Sequence, residues 1–153
     1  AITLTKEHNL DGLILCEPAL IPNNKFAWAS KLFRFTHLKV KWSGPNLEFP
    51  DHSERYWRGQ KGFYVKSAAD LLTVASKAKK LLPQIVCPIM MTWADKDTSI
   101  LKKGVDMIEE LAPANIKTYI TYPNNTHHLP SEPEKEKLAK DIDVFIKKTM
   151  PQK

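Results

Sequence analysis

Pro88-Ile89-Met90-Met91-Thr92-Trp93 runs directly into the polar segment Ala94-Asp95-Lys96-Asp97-Thr98-Ser99-Ile100. A short apolar run with no alternating polar face, opened by a proline and closed by charged residues, predicts a strand buried on both faces, as in a parallel sheet. Two further stretches read the same way. Upstream, Asp11-Gly12 breaks what reads as the tail of a helix over residues 1–10 and leads into Leu13-Ile14-Leu15-Cys16. Downstream, Lys117-Thr118-Tyr119-Ile120-Thr121-Tyr122 is rich in β-branched and aromatic residues.

Helical patterns lie between and after these runs. Ser67 reads as the N-cap of a helix over 68–82, where Leu71, Leu72, Ala75, Ala78, Lys79 and Leu82 recur at three- and four-residue steps. Thr98 or Ser99 reads as the cap of a second, with Val105, Ile108 and Leu111 on one face and Pro113 at its end. A third spans 134–149, with Leu138, Ile142, Phe145 and Ile146 facing inward. Strand and helix therefore alternate from residue 12 onward, which predicts an α/β fold with a right-handed parallel sheet of about three strands and flanking helices.

One domain is expected for 153 residues. Hydrophobic residues at 42% and charged residues at 26% exclude a disordered chain. The net charge of +6 invites a nucleic-acid reading, but the basic residues are scattered. Their short clusters, Lys77, Lys79, Lys80 and Lys147, Lys148, fall near expected helix ends, where cations suit the helix dipole. No nucleic-acid partner is expected. No run approaches the roughly 18 apolar residues of a membrane helix, so the expectation is a soluble protein, with the cytoplasm favoured and the compartment otherwise unknown. Cys16 and Cys87 both sit in apolar runs and read as buried thiols.

Residues 22–66 break the alternation and hold most of the aromatics, among them Trp28, Phe33 and Trp42. They read as an insertion over the C-terminal edge of the sheet. It is either a satellite aromatic cluster under a long loop or a cap over an apolar pocket lined by these three residues.

In open parallel sheets, ligands bind outside the carboxyl ends of the strands. Two polar segments lie there: the one carrying Asp95 and Asp97, and Pro123-Asn124-Asn125-Thr126-His127-His128 after the third strand. Adjacent parallel strands lie about 5 Å apart, so an acid on one and a histidine on the next can meet. That is the acid and base half of a nucleophilic triad. Taken singly, each acid reads as a helix cap and the histidines as a surface turn. No H-x-x-x-H or C-x-x-C occurs, so neither a metal nor a cofactor is expected.

Cys87-Pro88-Ile89-Met90 through Asp97-Thr98-Ser99-Ile100 resembles α/β-hydrolases of the carboxylesterase, monoglyceride lipase and lysophospholipase type. In that family a strand after a Cys/Ala-Pro step ends in Gly-x-x-Asp-x-x-Val. Ala94 stands for the glycine, Asp97 for the triad acid and Ile100 for the valine. The resemblance continues at Asn124-Asn125-Thr126-His127 with Glu132 five positions on, which matches the histidine turn and selects His127, with His128 as runner-up. Upstream, Asp11-Gly12-Leu13-Ile14-Leu15-Cys16-Glu17-Pro18-Ala19-Leu20 is similar to a strand that commonly reads DGLILVAPAL. The resemblance implies a Ser-His-Asp esterase or lipase acting on small acyl esters.

The family serine sits on a Gly-x-Ser-x-Gly turn, and none of the five glycines brackets a serine in that way. Ala1-Ile2-Thr3-Leu4 resembles the segment just after that turn. The expectation is thus the C-terminal part of an α/β-hydrolase carrying the acid and the base, with the nucleophile absent and the isolated chain inactive. A missing N-terminal hydrolase segment is the expected partner. The rival expectation is a non-catalytic fragment or pseudo-hydrolase that self-associates through an exposed sheet edge.

Overall fold

The computed structural model describes residues 1–41 and 62–150. Strand β1 spans Leu13–Leu15, β2 Lys39–Lys41, β3 Gly62–Tyr64, β4 Ile89–Ala94 and β5 Lys117–Tyr122. The helices are α1, Val65–Leu81, α2, Lys103–Leu111, and α3, Lys135–Thr149. The main sheet is parallel with order β1-β4-β5, pairing Leu13 with Ile89 and Ile89 with Lys117.

All six residues of β4 are buried, as expected of a central strand covered on both faces. Side chains alternate across a strand, and that alternation divides the core in two. Ile89, Met91 and Trp93 join Leu13, Leu15, Leu82, Val105 and Ile108 on one face. Met90 and Ala94 join Tyr122, Leu129, Leu138 and Phe145 on the other. Helices α1 and α2 thus cover one face and α3 covers the other. The buried hydroxyl of Tyr122 donates to Asp141 at 2.7 Å, which ties β5 to α3. Lys79 and Lys80 lie in the last turn of α1, and Lys147 and Lys148 in that of α3, as the charge pattern requires.

The helix starts differ from the sequence reading for tertiary reasons. Helix α1 begins at Val65, not after Ser67, because β3 pairs with β2 and carries the chain extended to Tyr64. The amide of Val65 then finds the carbonyl of Leu38 at 2.9 Å, so no side-chain cap is used. Helix α2 begins at Lys103, and neither Thr98 nor Ser99 caps it. Those residues are committed to the segment after β1: Pro22 bridges Ile100, Asn23 N donates to the carbonyl of Ser99 at 2.9 Å, and Leu101 N to that of Ile21 at 2.8 Å. Gly104 keeps this junction tight, since a Cβ there would stand 3.3 Å from the amide nitrogen of Ile21.

The tail of a helix expected over residues 1–10 is a single 3₁₀ turn, Ile2–Lys6. Leu111 and Ile146, both expected to face inward, are exposed. Cys16 is exposed where the chain leaves the sheet, and Cys87 is half-buried, so neither is the buried thiol that the apolar runs suggested. Both are free. Of the insertion, the 3₁₀ turn Ala27–Lys31 packs against α1, and Arg34 pairs with Asp70 of that helix at 3.3 Å. Among the described residues no helix is long and apolar enough to cross a membrane.

Candidate active site

The loops after β4 and β5 are joined by backbone. Asp95 N donates to the carbonyl of Tyr122 at 3.1 Å and Lys96 N to that of Asn125 at 3.1 Å, which extends the ladder past the strand ends. A tight turn closed by Asp97 N on the carbonyl of Ala94 at 3.0 Å then aims Asp97 inward, while Asp95 is exposed. Asp97 Oδ1 accepts from the amides of Ser99 at 2.6 Å and Ile100 at 3.3 Å. Its other oxygen, Oδ2, lies 2.8 Å from Nδ1 of His127.

Burial pushes the carboxyl of Asp97 up, but the hydrogen bond from His127 and the amide of Ser99 outweigh it and hold the group below its ordinary value. An ionised carboxylate only accepts, so the pairing places the proton on Nδ1 and leaves Nε2 as the basic nitrogen. The Asp97 side chain is wholly buried whereas that of His127 is 29% exposed. The imidazole is therefore anchored from behind and open in front.

Glu132 fixes the histidine turn. Its carboxylate accepts from the amide and the hydroxyl of Thr126 and from the amide of His128 at 3.1 Å. Thr126 thus ties the turn to Glu132 through its hydroxyl as well as its amide. Buried Asn125 accepts from the amide of Glu134 at 3.1 Å through its side-chain oxygen, and buried Leu129 closes the turn from below. His128 lies edge-on to His127, with ring centroids 5.5 Å apart, and burial followed by the charge of His127 pushes its imidazole below the ordinary value. The short bond to Asp97 belongs to His127.

The structure adds a residue that the sequence reading passed over. Glu17, the second residue after β1, is buried at 5% exposure, with φ of 47° in the left-handed region that non-glycine residues seldom enter. Its amide donates to the hydroxyl oxygen of Thr92 at 3.2 Å, and that hydroxyl lies 3.4 Å from Glu17 Oε1. One donor atom each of Glu17, Asp97 and His127 lie within 4.8 Å of one another. Two carboxylates and an imidazole at that span are the donor set, among the described residues, that suits a divalent cation. Asp97, however, already has both oxygens engaged by two amides and the imidazole. Burial first, then the adjacent Asp97, pushes the carboxyl of Glu17 up to about 8. The one signal in the sequence was an acid standing where DGLILVAPAL has alanine.

The expected pocket aromatics lie apart from this cluster's hydrogen-bond network. Trp28 and Phe33 are exposed, at 61% and 47%, and Trp42 lies outside the described residues. A cavity of about 330 Å³ lies instead along β1, lined by Ile14, Cys16, Glu17, Leu20, Leu71 and Val74 among others.

No protein-family profile matches the sequence, and no curated protein sequence does. Solved structures do match. One of the metagenome-derived lipolytic enzymes LipS and LipT superposes with a TM-score of 0.77 at 17% identity, over 94% of this chain and 58% of that one. The monoacylglycerol lipase of Paleococcus ferrophilus gives 0.74 at 17% identity, over 93% and 61%. A soluble variant of the Saccharomyces cerevisiae monoglyceride lipase, solved with a substrate analogue, gives 0.69 at 17% identity, over 90% and 55%. Identities this low speak to fold alone. The chain carries part of an α/β-hydrolase fold and spans roughly six-tenths of the length of the lipases it matches.

Proposed function

We propose that this chain supplies the acid and the base of a serine-type carboxylic ester hydrolase. The observation that carries the reading is the 2.8 Å contact between buried Asp97 and half-open His127 at the ends of adjacent parallel strands. In the reaction, His127 Nε2 takes the proton of a serine hydroxyl as the oxygen attacks the ester carbonyl. It then returns that proton to the departing alcohol. Asp97 stays ionised throughout, holds the Nδ1–H tautomer and stabilises the imidazolium.

The serine is assigned to a Gly-x-Ser-x-Gly turn that residues 1–153 do not contain. The insertion at 22–66 is assigned as the acyl-site cap, with Trp28, Phe33 and Trp42 as its apolar surface. The exposed rings of Trp28 and Phe33 support that assignment. The substrate class is a small-molecule acyl ester, a reading supported by the superposition on lipolytic enzymes and monoacylglycerol lipases.

The test is hydrolysis of p-nitrophenyl acyl esters by residues 1–153 and by a chain extended upstream through the serine turn, the full chain below. The full chain turns over and the shorter one does not. Turnover by residues 1–153 that survives His127→Ala contradicts the triad, and so does an upstream coding sequence without the turn.

A further inference from the structure

Glu17 is a buried acid beside the Asp97–His127 pair with no part in the mechanism so far. Read as a carboxylate, its Oε2 is a buried acceptor that no donor reaches. Its companion Oε1 has the Thr92 hydroxyl at 3.4 Å, a long contact. It would also stand as a second negative charge within 4.8 Å of a carboxylate oxygen of Asp97. The groups that act on its carboxyl are Asp97, the Thr92 hydroxyl and the backbone of Ala94, with no lysine or arginine among them. Two buried carboxyls this close cannot both ionise at small cost, and the group with fewer donors keeps the proton. Asp97 has two amides and an imidazole. Glu17 has one long contact to a hydroxyl and a weaker pull from the backbone of Ala94, and burial with the neighbouring Asp97 outweighs both.

Resting on the triad reading above, we propose that Glu17 is a positioning residue that acts through Asp97: its neutral carboxyl donates from Oε2 to the Asp97 carboxylate and fixes the face that Asp97 turns to His127. The proton converts the orphaned oxygen into a donor and removes the second charge in one step. The titratable groups around Glu17 are Asp97 from the loop after β4, His127 from the loop after β5 and Cys16 from its own segment. Thr92 of β4 contributes a neutral hydroxyl. Left-handed backbone at Glu17 is a further sign of a committed position, since such strain persists only where the surroundings impose it and clusters at functional sites. With the carboxyl pushed up to about 8, the donor is in place at neutral pH and is lost in mild alkali.

Two readouts on the full chain test this. The first is infrared difference spectroscopy of the protonated carboxyl C=O band. An acid band is expected at about pH 6, absent from Glu17→Gln and fading in the unsubstituted protein as pH passes through about 8. The second is the far-downfield proton resonance of the imidazole N–H bound to Asp97. It is expected in the unsubstituted protein and in Glu17→Gln, whose amide still donates. It is expected to be weakened or lost in Glu17→Ala at unchanged circular dichroism.

A missing acid band overturns the proposal for Glu17 alone, as does a resonance in Glu17→Ala equal to that of the unsubstituted protein. A resonance absent from the unsubstituted protein overturns the Asp97–His127 pairing, and the positioning role with it. Should Glu17→Ala not fold, the Glu17→Gln infrared comparison decides the protonation state.

Discussion

Glu17 and Asp97 follow neighbouring parallel strands, are buried alike, and are held in opposite protonation states. The difference lies in the donors each loop supplies. The turn after β4 folds the amides of Ser99 and Ile100 onto Asp97, and His127 completes the set. The segment after β1 spends its own amide on Thr92 and leaves Oε2 of Glu17 without a donor. Hydrogen bonds to the charged form hold one acid down, while burial and a like charge push the other up. A carboxyl's chemistry at a strand end is therefore set by the loop geometry that follows it, more than by its depth.

The contrast can be broken from the Asp97 side first. Asp97→Asn replaces the acceptor facing Nδ1 with an amide and allows the wrong imidazole tautomer. The full chain should lose about 10⁴-fold in kcat with little change in KM. Steady-state kinetics check this, and a loss below tenfold would remove Asp97 from the mechanism. A smaller effect is expected at the turn that presents His127. Glu132→Gln turns one of three acceptor contacts into a donor facing a donor, so denaturant unfolding should report a loss of about 1–3 kcal/mol. An unchanged midpoint would mean that the turn is held by Asn125 and Leu129 alone.

The smallest effect sharpens the comparison from the Glu17 side. Its folded value of about 8 lies above its ordinary 4.5, so between the two the folded chain keeps a proton that the unfolded chain has released. Stability from this group is full below about 4.5 and declines as pH rises through about 8. Urea midpoints between about pH 5 and pH 8.5 should fall faster in the unsubstituted protein than in Glu17→Gln. Parallel curves would show that Glu17 does not titrate in that window.

Much of this was legible in advance. Strand β4 announced itself because a strand buried on both faces is almost wholly apolar, and Ile89 to Ala94 departs from that only at Thr92. Strand β5 was legible from its β-branched and aromatic residues, but the expectation of burial on both faces fails there: at the end of the sheet, Lys117 and Thr121 are exposed and only Tyr122 is fully buried. That an acid and a histidine meet followed from strand adjacency, and the choice of Asp97 and His127 from the resemblance to the hydrolase pattern. The caps at Ser67, Thr98 and Ser99 were misread because long-range backbone bonds to Leu38, Ile21 and Asn23 replaced side-chain caps. Such bonds leave no local trace. Glu17 was hidden for the same reason. Its amide bonds to Thr92, 75 residues away, and its carboxyl is pushed up by burial and by Asp97 from another loop. In sequence it is one acid after an apolar run.

The central claim is that His127, and not its neighbour, takes the proton from the nucleophile. It is tested most directly by kcat/KM of the full chain on one p-nitrophenyl ester, with His127→Ala and His128→Ala measured side by side. The account predicts a loss of about 10⁴-fold or more for His127→Ala and less than about tenfold, or 1.4 kcal/mol, for His128→Ala. The reverse ranking, or two losses of similar size, would contradict it.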